Sequence, residues 1–444
     1  MAKGIYRQAA GNQNASFVVG PNVAIYGGFA GGETSRDARN PTTHVTILSG
    51  DIDNNDTGSN GVDSDSSNIV GSNSHQIVVM SGSAGVQVTA STVLDGFTLT
   101  GGDYTNTANP AVGGGALECV AISAGNECSP TLARLVFSGN RAYLGGAMAL
   151  EAYSGGLSSP TLTYVTFIGN RSTQFGGALY VNAQLAGTSS PVLTNVTFSG
   201  NSSASNGGAI FNDLSTTASS SLLTNVTFNG NSAVNGGAIY NNIPSGSGSS
   251  SRLTNVTFYG NSASANGGAI YTRASTVTSP ILVNATFNGN SAALGPAIYN
   301  AGANVLLLNS ILWGDIATPS GPELFVTGVG VNDLSYSIIQ GGCASLGAGC
   351  GLSPNYAGDP KLGALANNGG FSRTLMPGPG SAAINAVPCT YSNEMPIVDQ
   401  RGAVRPDSTS AGPTRCDIGA VEANSLPGDL IFADRFGSSP WDDL

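Results

Sequence analysis

Phe137, Phe167, Phe198, Phe228, Phe258 and Phe287 follow one another at intervals of 30, 31, 30, 30 and 29 residues, and a period of that length marks a stacked solenoid rather than a globule. Each phenylalanine sits in the same frame. Leu132, Leu162, Leu193, Leu223, Leu253 and Leu282 stand five residues before it, and Asn140, Asn170, Asn201, Asn231, Asn261 and Asn290 three after. Gly-Gly-Ala then begins at Gly145, Gly176, Gly207, Gly236 and Gly267, and Gly295-Pro296-Ala297 closes the series. Phe97 with Gly114-Gly115-Ala116 is an earlier relative.

The unit at 190–212 shows what one repeat is expected to do. Val196 and Phe198 share one face of a strand, with Thr194 and Thr197 as β-branched filling. The strand ends at Gly200-Asn201, and a second short strand, Ala209-Ile210-Phe211, follows the glycine pair. A Gly/Ser/Thr-rich loop of drifting length leads onward. No single unit can bury its apolar face, but stacking sets Phe on Phe and Asn on Asn along one core. The expectation is therefore an all-β fold: a single-stranded parallel β-helix, right-handed, with capped ends. Each buried Phe contributes about 1.5–3 kcal/mol, and stacked Asn amides hydrogen-bond along the column, so both columns are expected to be structural. Asn195, Asn225, Asn255 and Asn284 fall in N-x-Ser/Thr, which we read as an accident of strand composition. The spacing L-x-x-V-x-F-x-x-N also fits a leucine-rich repeat, but Gly-Gly-Ala and Ser/Gly runs such as Ser245-Gly246-Ser247-Gly248 disfavour the returning helix.

Composition agrees with stacked strands and turns. Charged residues are 9% of the 444 and glycines number 63, against roughly 25% charged and 7% Gly in ordinary soluble chains. With 40% hydrophobic residues and a net charge of −11, there is enough apolar surface for folding. Lys3 and Lys361 are the only lysines among 15 basic residues, and none interleave with aromatics, which excludes a nucleic-acid surface. No apolar run reaches the roughly 18–20 residues of a membrane helix. Cys119 and Cys128, Cys343 and Cys350, and Cys389 and Cys416 form three close pairs that suit local disulfides and an oxidising, extracytoplasmic compartment. Neither His44 nor His75 lies near them, so zinc is disfavoured.

Phe-x-Gly-Asn followed by Gly-Gly-Ala-(Ile/Leu/Met) resembles the repeat pair of the polymorphic outer-membrane proteins, β-helical autotransporter passengers, over residues 132–299. That resemblance implies surface exposure. The long C-terminal run of alternating strands that forms the family's membrane barrel is missing here, which puts self-secretion in doubt. Residues 1–134 read as an N-terminal cap and opening coils; Tyr26 to Thr34 and Ile47 to Asp53 resemble the start of secreted bacterial β-helix proteins. The regular coils are 135–300, and 301–424 holds the last coils and a closing module. In that module Asp359-Pro360-Lys361-Leu362, Asn367-Asn368-Gly369-Gly370, Gly380 to Asn385, Asp399-Gln400-Arg401-Gly402 and Asp417 to Glu422 together resemble the choice-of-anchor Q domain. The resemblance implies an exported protein with a cap on the helix end and an anchoring or sorting signal downstream. Asp399, Arg401, Arg405, Asp417 and Glu422 are expected to pair and hold the cap. The tail 425–444, with Phe432, Phe436 and Trp441 among acids, is similar to C-terminal tails of exported proteobacterial proteins.

Between Pro41 and Ala133 there are nine acids and no Lys or Arg, an imbalance that needs counter-charge or water. Asp51, Asp53, Asn55 and Asp56 offer alternating oxygens as calcium loops do, although the glycine and glutamate of such a loop are missing, so Ca2+ competes with a plain solvated acidic loop. Catalysis by a polysaccharide lyase or glycosidase would require paired carboxylates or a nearby base. The charged residues of 135–300, namely Arg141, Glu151, Arg171, Asp213, Arg252 and Arg273, are scattered through different phases of the repeat. The expected function is therefore non-catalytic and adhesin-like, at the cell surface or secreted, with variable loops near Gly155, Gly187, Thr217, Gly246 and Val277 binding a glycan or protein. The alternatives are the polysaccharide-degrading enzyme and a self-associating structural rod.

Overall fold

Leu193, Val196 and Phe198 are all fully buried, although strict strand alternation would turn Leu193 and Val196 to opposite faces. Asn195 resolves the conflict. Its φ is +55°, a left-handed conformation that inserts one residue into the strand and resets the alternation. The ladder to the next coil accordingly pairs Thr194 with Thr224 and Val196 with Val226, skipping the residue between. Arg134, Tyr164, Asn225, Asn255, Asn284, Asn309 and Tyr336 share this conformation, with φ of +49° to +57°. Asparagine tolerates it better than other side chains that carry a Cβ. The four asparagines read as accidents of composition thus have a positional reason, and their amides form an outer line. Asn225 donates to Asn195 at 3.2 Å, Asn255 to Asn225 at 3.1 Å, Asn284 to Asn255 at 3.0 Å and Asn309 to Asn284 at 2.8 Å.

The computed structural model describes residues 1–83, 86–105, 113–214, 219–244, 251–274, 280–302, 304–327, 333–342, 355–389, 395–406 and 415–425. Within them the chain winds as a parallel β-helix solenoid of three sheets. The first carries the Phe strands, such as Val192–Ser199 and Leu222–Asn229. A second, of short strands such as Arg171–Phe175 and Ser202–Ser203, follows the Gly-Asn corner. The third, with Leu179–Gln184 and Ile210–Leu214, follows the Gly-Gly bend. In the first sheet the regular coils keep one register, so that Phe167, Phe198 and Phe228 lie directly above one another; in the second it shifts by a residue between Ala142 and Leu144 and between Ala233 and Asn235. From Phe137 to Phe287 their rings stack at 4.5–4.9 Å with planes within 7°. That is the spacing of neighbouring strands, and the backbone repeat therefore sets the ring geometry.

The two glycines of each bend do different work. Gly207 has φ +69°, whereas a Cβ on Gly208 would stand 2.0 Å from Gly237 O and 2.6 Å from Ser232 N in the next coil. Gly208→Ala must push two coils apart, and we expect it to lower stability by about 2–3 kcal/mol. A urea midpoint equal to that of the parent would show that the coils do not need this close approach.

Residues 1–134 continue the stack, with Gly4–Arg7 pairing to Thr46–Ser49 and the latter to Thr98–Thr100. The insertion after Gly50 folds back over the regular coils: Ser138 Oγ donates to Asp63 O at 2.6 Å and Ser66 N to Gly169 O at 3.2 Å. The counter-charge for the acids comes from arginines outside their stretch and from Arg39 just before it. Arg39 and Arg134 both hold Asp95, Arg141 holds Asp103 at 2.8 Å, and Arg7 faces Asp51 at 3.7 Å.

The C-terminal module does more than close the end of the stack. It runs back along the outer face of the first sheet, where Gln400 Nε2 donates to Val226 O at 3.2 Å and Gln400 Oε1 accepts from Thr257 Oγ1 at 2.6 Å. Asn255 Nδ2 donates to Val398 O at 3.0 Å, Ala420 N to Thr286 Oγ1 at 3.0 Å, and Phe371 sets its ring against the edge of Tyr164 at 5.3 Å. The outward threonines 227, 257 and 286 are buried as a result. Within the module Arg401 pairs with Asp399 at 2.8 Å and Arg405 with Glu422 at 3.0 Å. Asp417 accepts from Asn385 N at 2.7 Å, and all five charged groups are buried. Breaking such a pair would leave an uncompensated buried charge.

Candidate ligand-binding groove

In the third sheet, the second residue after each Gly-Gly-Ala points outward, and Tyr180, Phe211, Tyr240, Tyr271, Tyr299 and Phe325 stand in register there. Their rings stack at 5.8, 5.0, 4.7, 4.9 and 5.3 Å. Phe175, from the second sheet, stacks on Phe211 across the bend at 4.5 Å. The outward side chains of the two sheets thus meet across the Gly-Gly bend in this coil, and the strip along that bend is the candidate groove. Its other wall continues from Phe175 through Asn206, Asn235 and Asn266. Asn235 Nδ2 donates to Asn206 Oδ1 at 3.0 Å and Asn266 Nδ2 to Asn235 Oδ1 at 3.3 Å. Because the aromatic rings face one another along the column, they turn edges rather than faces to the outside. Tyr180 and Phe211 are buried, and Tyr271 and Tyr299 are half-buried.

Beyond the rings the same strands carry a polar column of Glu151, Asn182, Asp213, Asn242 and Arg273. Asp213 accepts from Asn242 Nδ2 at 2.9 Å and Gln184 Nε2 at 3.2 Å, and Asn182 Nδ2 donates to Tyr153 Oη. Glu151 Oε1 and Asn182 Oδ1 are buried without a hydrogen-bond partner. At the N-terminal end of the column Glu118 and Glu151 lie together on this outward face. Burial pushes the Glu118 carboxyl up to about 7, against the opposing hydrogen bond of Gln76. Burial, and then the charge of Glu118, pushes Glu151 up to about 8. The Tyr153 hydroxyl beside them is raised as well, by burial first and then by Glu151. A carboxylic acid kept neutral can donate a hydrogen bond, which a carboxylate cannot.

The residues singled out by sequence fall elsewhere. Asn140, Asn170, Asn201, Asn231, Asn261 and Asn290 are fully buried at the corner between the first two sheets. Asn170 Nδ2 donates to Asn201 Oδ1 at 2.9 Å and to Phe137 O at 2.9 Å, while Asn170 N donates to the same Asn201 Oδ1 at 3.1 Å. Their amides are consumed by the fold. Asp51 Oδ1 accepts from Asn55 N at 3.0 Å, Asp53 Oδ2 from Ser72 N at 2.9 Å, and Asp56 from Val70 N and Asn73 Nδ2, each at 2.7 Å. Asp63 adjoins Asp56, and burial followed by that neighbouring charge raises it to about 7. Among the described residues no three His, Cys, Asp or Glu stand together so as to hold a metal ion. Cys119 is bonded to Cys128 and Cys389 to Cys416; Cys343 and Cys350 lie outside the described residues, as do Thr217, Gly246, Val277 and the tail from 426. Sequence reasoning passed over the groove, whose signal was the recurring aromatic just after Gly-Gly-Ala.

Residues 164–182, 195–213, 225–242 and 255–273 match the Chlamydia polymorphic membrane protein repeat. Each match begins at the left-handed residue and ends at the polar column of the groove. No curated protein and no solved structure matches the chain. No helix among the described residues is long and apolar enough to cross a membrane.

Proposed function

We propose, from the premise that a chain built on these repeats is a bacterial surface protein outside the cytoplasm, that its work is to bind an extended glycan along the groove without cleaving it. The observation that carries this is the repetition of two parallel lines of side chains on neighbouring sheets: the hydrogen-bonded amides of Asn206, Asn235 and Asn266, and the stacked rings of Tyr240, Tyr271 and Tyr299. Binding sites combine a concave surface with a few placed polar groups, and a groove that repeats every coil suits a ligand that also repeats. Glu118 and Glu151 favour the enzymatic alternative to the extent that a neutral acid is half of a hydrolase pair. The other half would be an ordinary carboxylate base; among the described residues the further carboxyl of this column, Asp213, is raised by burial as Glu118 and Glu151 are.

The test is a glycan array, run with and without calcium because of Asp51, Asp53, Asn55 and Asp56, beside a polysaccharide-cleavage screen. Binding without cleavage is expected, and Tyr271→Ala and Asn266→Ala should each weaken it about tenfold, on the order of 1.4 kcal/mol. Cleavage of any polymer overturns the non-catalytic reading. Binding that ignores both substitutions moves the site away from the groove.

A further inference from the structure

Arg141 and Arg171 are direct partners in neighbouring strands of the second sheet, which sets their stems about 4.8 Å apart. Like charges in that relation repel. Asp103, next in the same column, takes Arg141 Nη2 at 2.8 Å, whereas Arg171 is exposed and has no partner among the described residues. On its other side the column continues with Ser202, Ser232 and Ser262, none of which supplies charge. Arg141 Nε is a buried donor with no acceptor. Both guanidinium groups line a cleft of about 350 Å³ whose remaining wall is Ser66, Ser67, Thr105, Thr173, Ser202 and Asp65. Asp65 is already engaged, since its Oδ1 accepts from Ser67 N at 2.7 Å. The insertion that supplies Asp65, Ser66 and Ser67 is fixed over the coils by Ser66 N to Gly169 O and Ser138 Oγ to Asp63 O. A cleft lined by two neighbouring arginines, of which Arg141 is held by Asp103 and Arg171 is not, with Asp65 and a set of hydroxyls in its wall, is therefore preformed on a chain whose net charge is −11.

We infer that this cleft binds a single anionic group, a sulfate ester or a carboxylate, carried on an extracellular glycan. Arginine forks match both groups in a bidentate way, and the surrounding hydroxyls suit a sugar ring better than an apolar ligand. The inference goes beyond the groove. Arg171 and Phe175 lie on one strand, about 13 Å apart at the usual rise, so the cleft is a separate site on the same side of the molecule.

The experiment titrates the full chain with four probes: sodium sulfate, a galacturonate oligomer, a sulfated galactan oligomer, and a neutral galactan oligomer of equal length. At low ionic strength the three anionic probes are expected to bind and to raise the melting temperature. Arg171→Gln should weaken them at least tenfold, and by relieving the Arg141 repulsion it should melt no lower than the parent. Binding of one oligomer class alone would identify the substituent as sulfate or uronate. The inference is overturned if Arg171→Gln binds the anionic probes as the parent does, or if none of the three binds. Neutral oligomer bound by parent and Arg171→Gln alike leaves the groove standing on its own, whatever the cleft does.

Discussion

Asn201→Ala is expected to destabilise the stack by about 4 kcal/mol, as is alanine at the equivalent Asn170, Asn231 and Asn261. The alanine removes the Oδ1 that accepts from Asn170 N at 3.1 Å and from Asn170 Nδ2 at 2.9 Å. It also removes the Nδ2 that donates to Phe167 O at 3.0 Å and to Asn231 Oδ1 at 3.0 Å. Two N–H groups are left without an acceptor in full burial, at roughly 1–3 kcal/mol each, and Phe167 O loses its side-chain donor, while Asn231 Oδ1 keeps its bond from Asn201 N at 3.0 Å. The companion variant is Asn195→Gly. It preserves the left-handed backbone and gives up only the outer, part-buried amide, so a loss of about 1 kcal/mol or less is expected. Urea unfolding followed by circular dichroism, with hydrogen exchange at Phe167 to Ser203, reads both. Equal losses for the two variants would mean that the buried amide line does not hold the coils together.

Raising the pH from 5 to 9 should destabilise the folded protein rather than leave it indifferent. The sign follows from Glu151, raised from 4.5 to about 8 by burial and then by Glu118, and from Glu118 itself, raised to about 7. Below about 4.5 both folded and unfolded chains hold these protons, and no penalty exists. Above it the unfolded chain ionises while the folded one does not, so stability falls with rising pH until the folded groups ionise near 7 and 8. The loss assigned to Glu151 over that window is on the order of 4 kcal/mol. Asp63, raised to about 7 beside Asp56, acts in the same direction. Glu151→Gln should leave stability at pH 5 nearly unchanged and raise it at pH 9, flattening the profile. A Glu151→Gln profile parallel to the parent's would show that Glu151 is ionised in the fold and balanced by something else.

The coil period, the Phe and Asn columns and the absence of helices from the repeat were legible because identical residues recur at one spacing and each has a single physical use. Asn195 and its equivalents were equally visible but were read for composition. Only the burial of both Leu193 and Val196 demands an extra residue between them. The aromatic column escaped notice because its members alternate between Tyr and Phe, and outward pointing is a property of the bend rather than of the residue. Arg7 and Asp51, Arg134 and Asp95, and Gln400 and Thr227 meet across long stretches of chain, and spacing holds no trace of such contacts. The lateral docking of the C-terminal module was hidden for the same reason: the threonines that receive it look like ordinary β-branched filling.

The buried amide line has a direction. Each Asn passes its backbone N–H and one side-chain hydrogen to the oxygen of the coil that follows, as Asn140 does to Asn170 and Asn261 to Asn290, and its other side-chain hydrogen to a carbonyl of the coil before. Taken by itself, a coil therefore presents open donors on the side of its successor, and the next length of the same chain carries the oxygen that closes them. The series needs a last acceptor. Asp315 supplies it. It accepts from Asn290 N at 2.6 Å and from Asn290 Nδ2 at 2.7 Å; its side chain has no amide hydrogens to pass on, and only its backbone N donates further, to Glu323 Oε1 at 3.3 Å. Burial, together with neighbouring Glu323, raises its carboxyl well above the ordinary range, so the relay of side-chain amides ends at a buried acid instead of another asparagine.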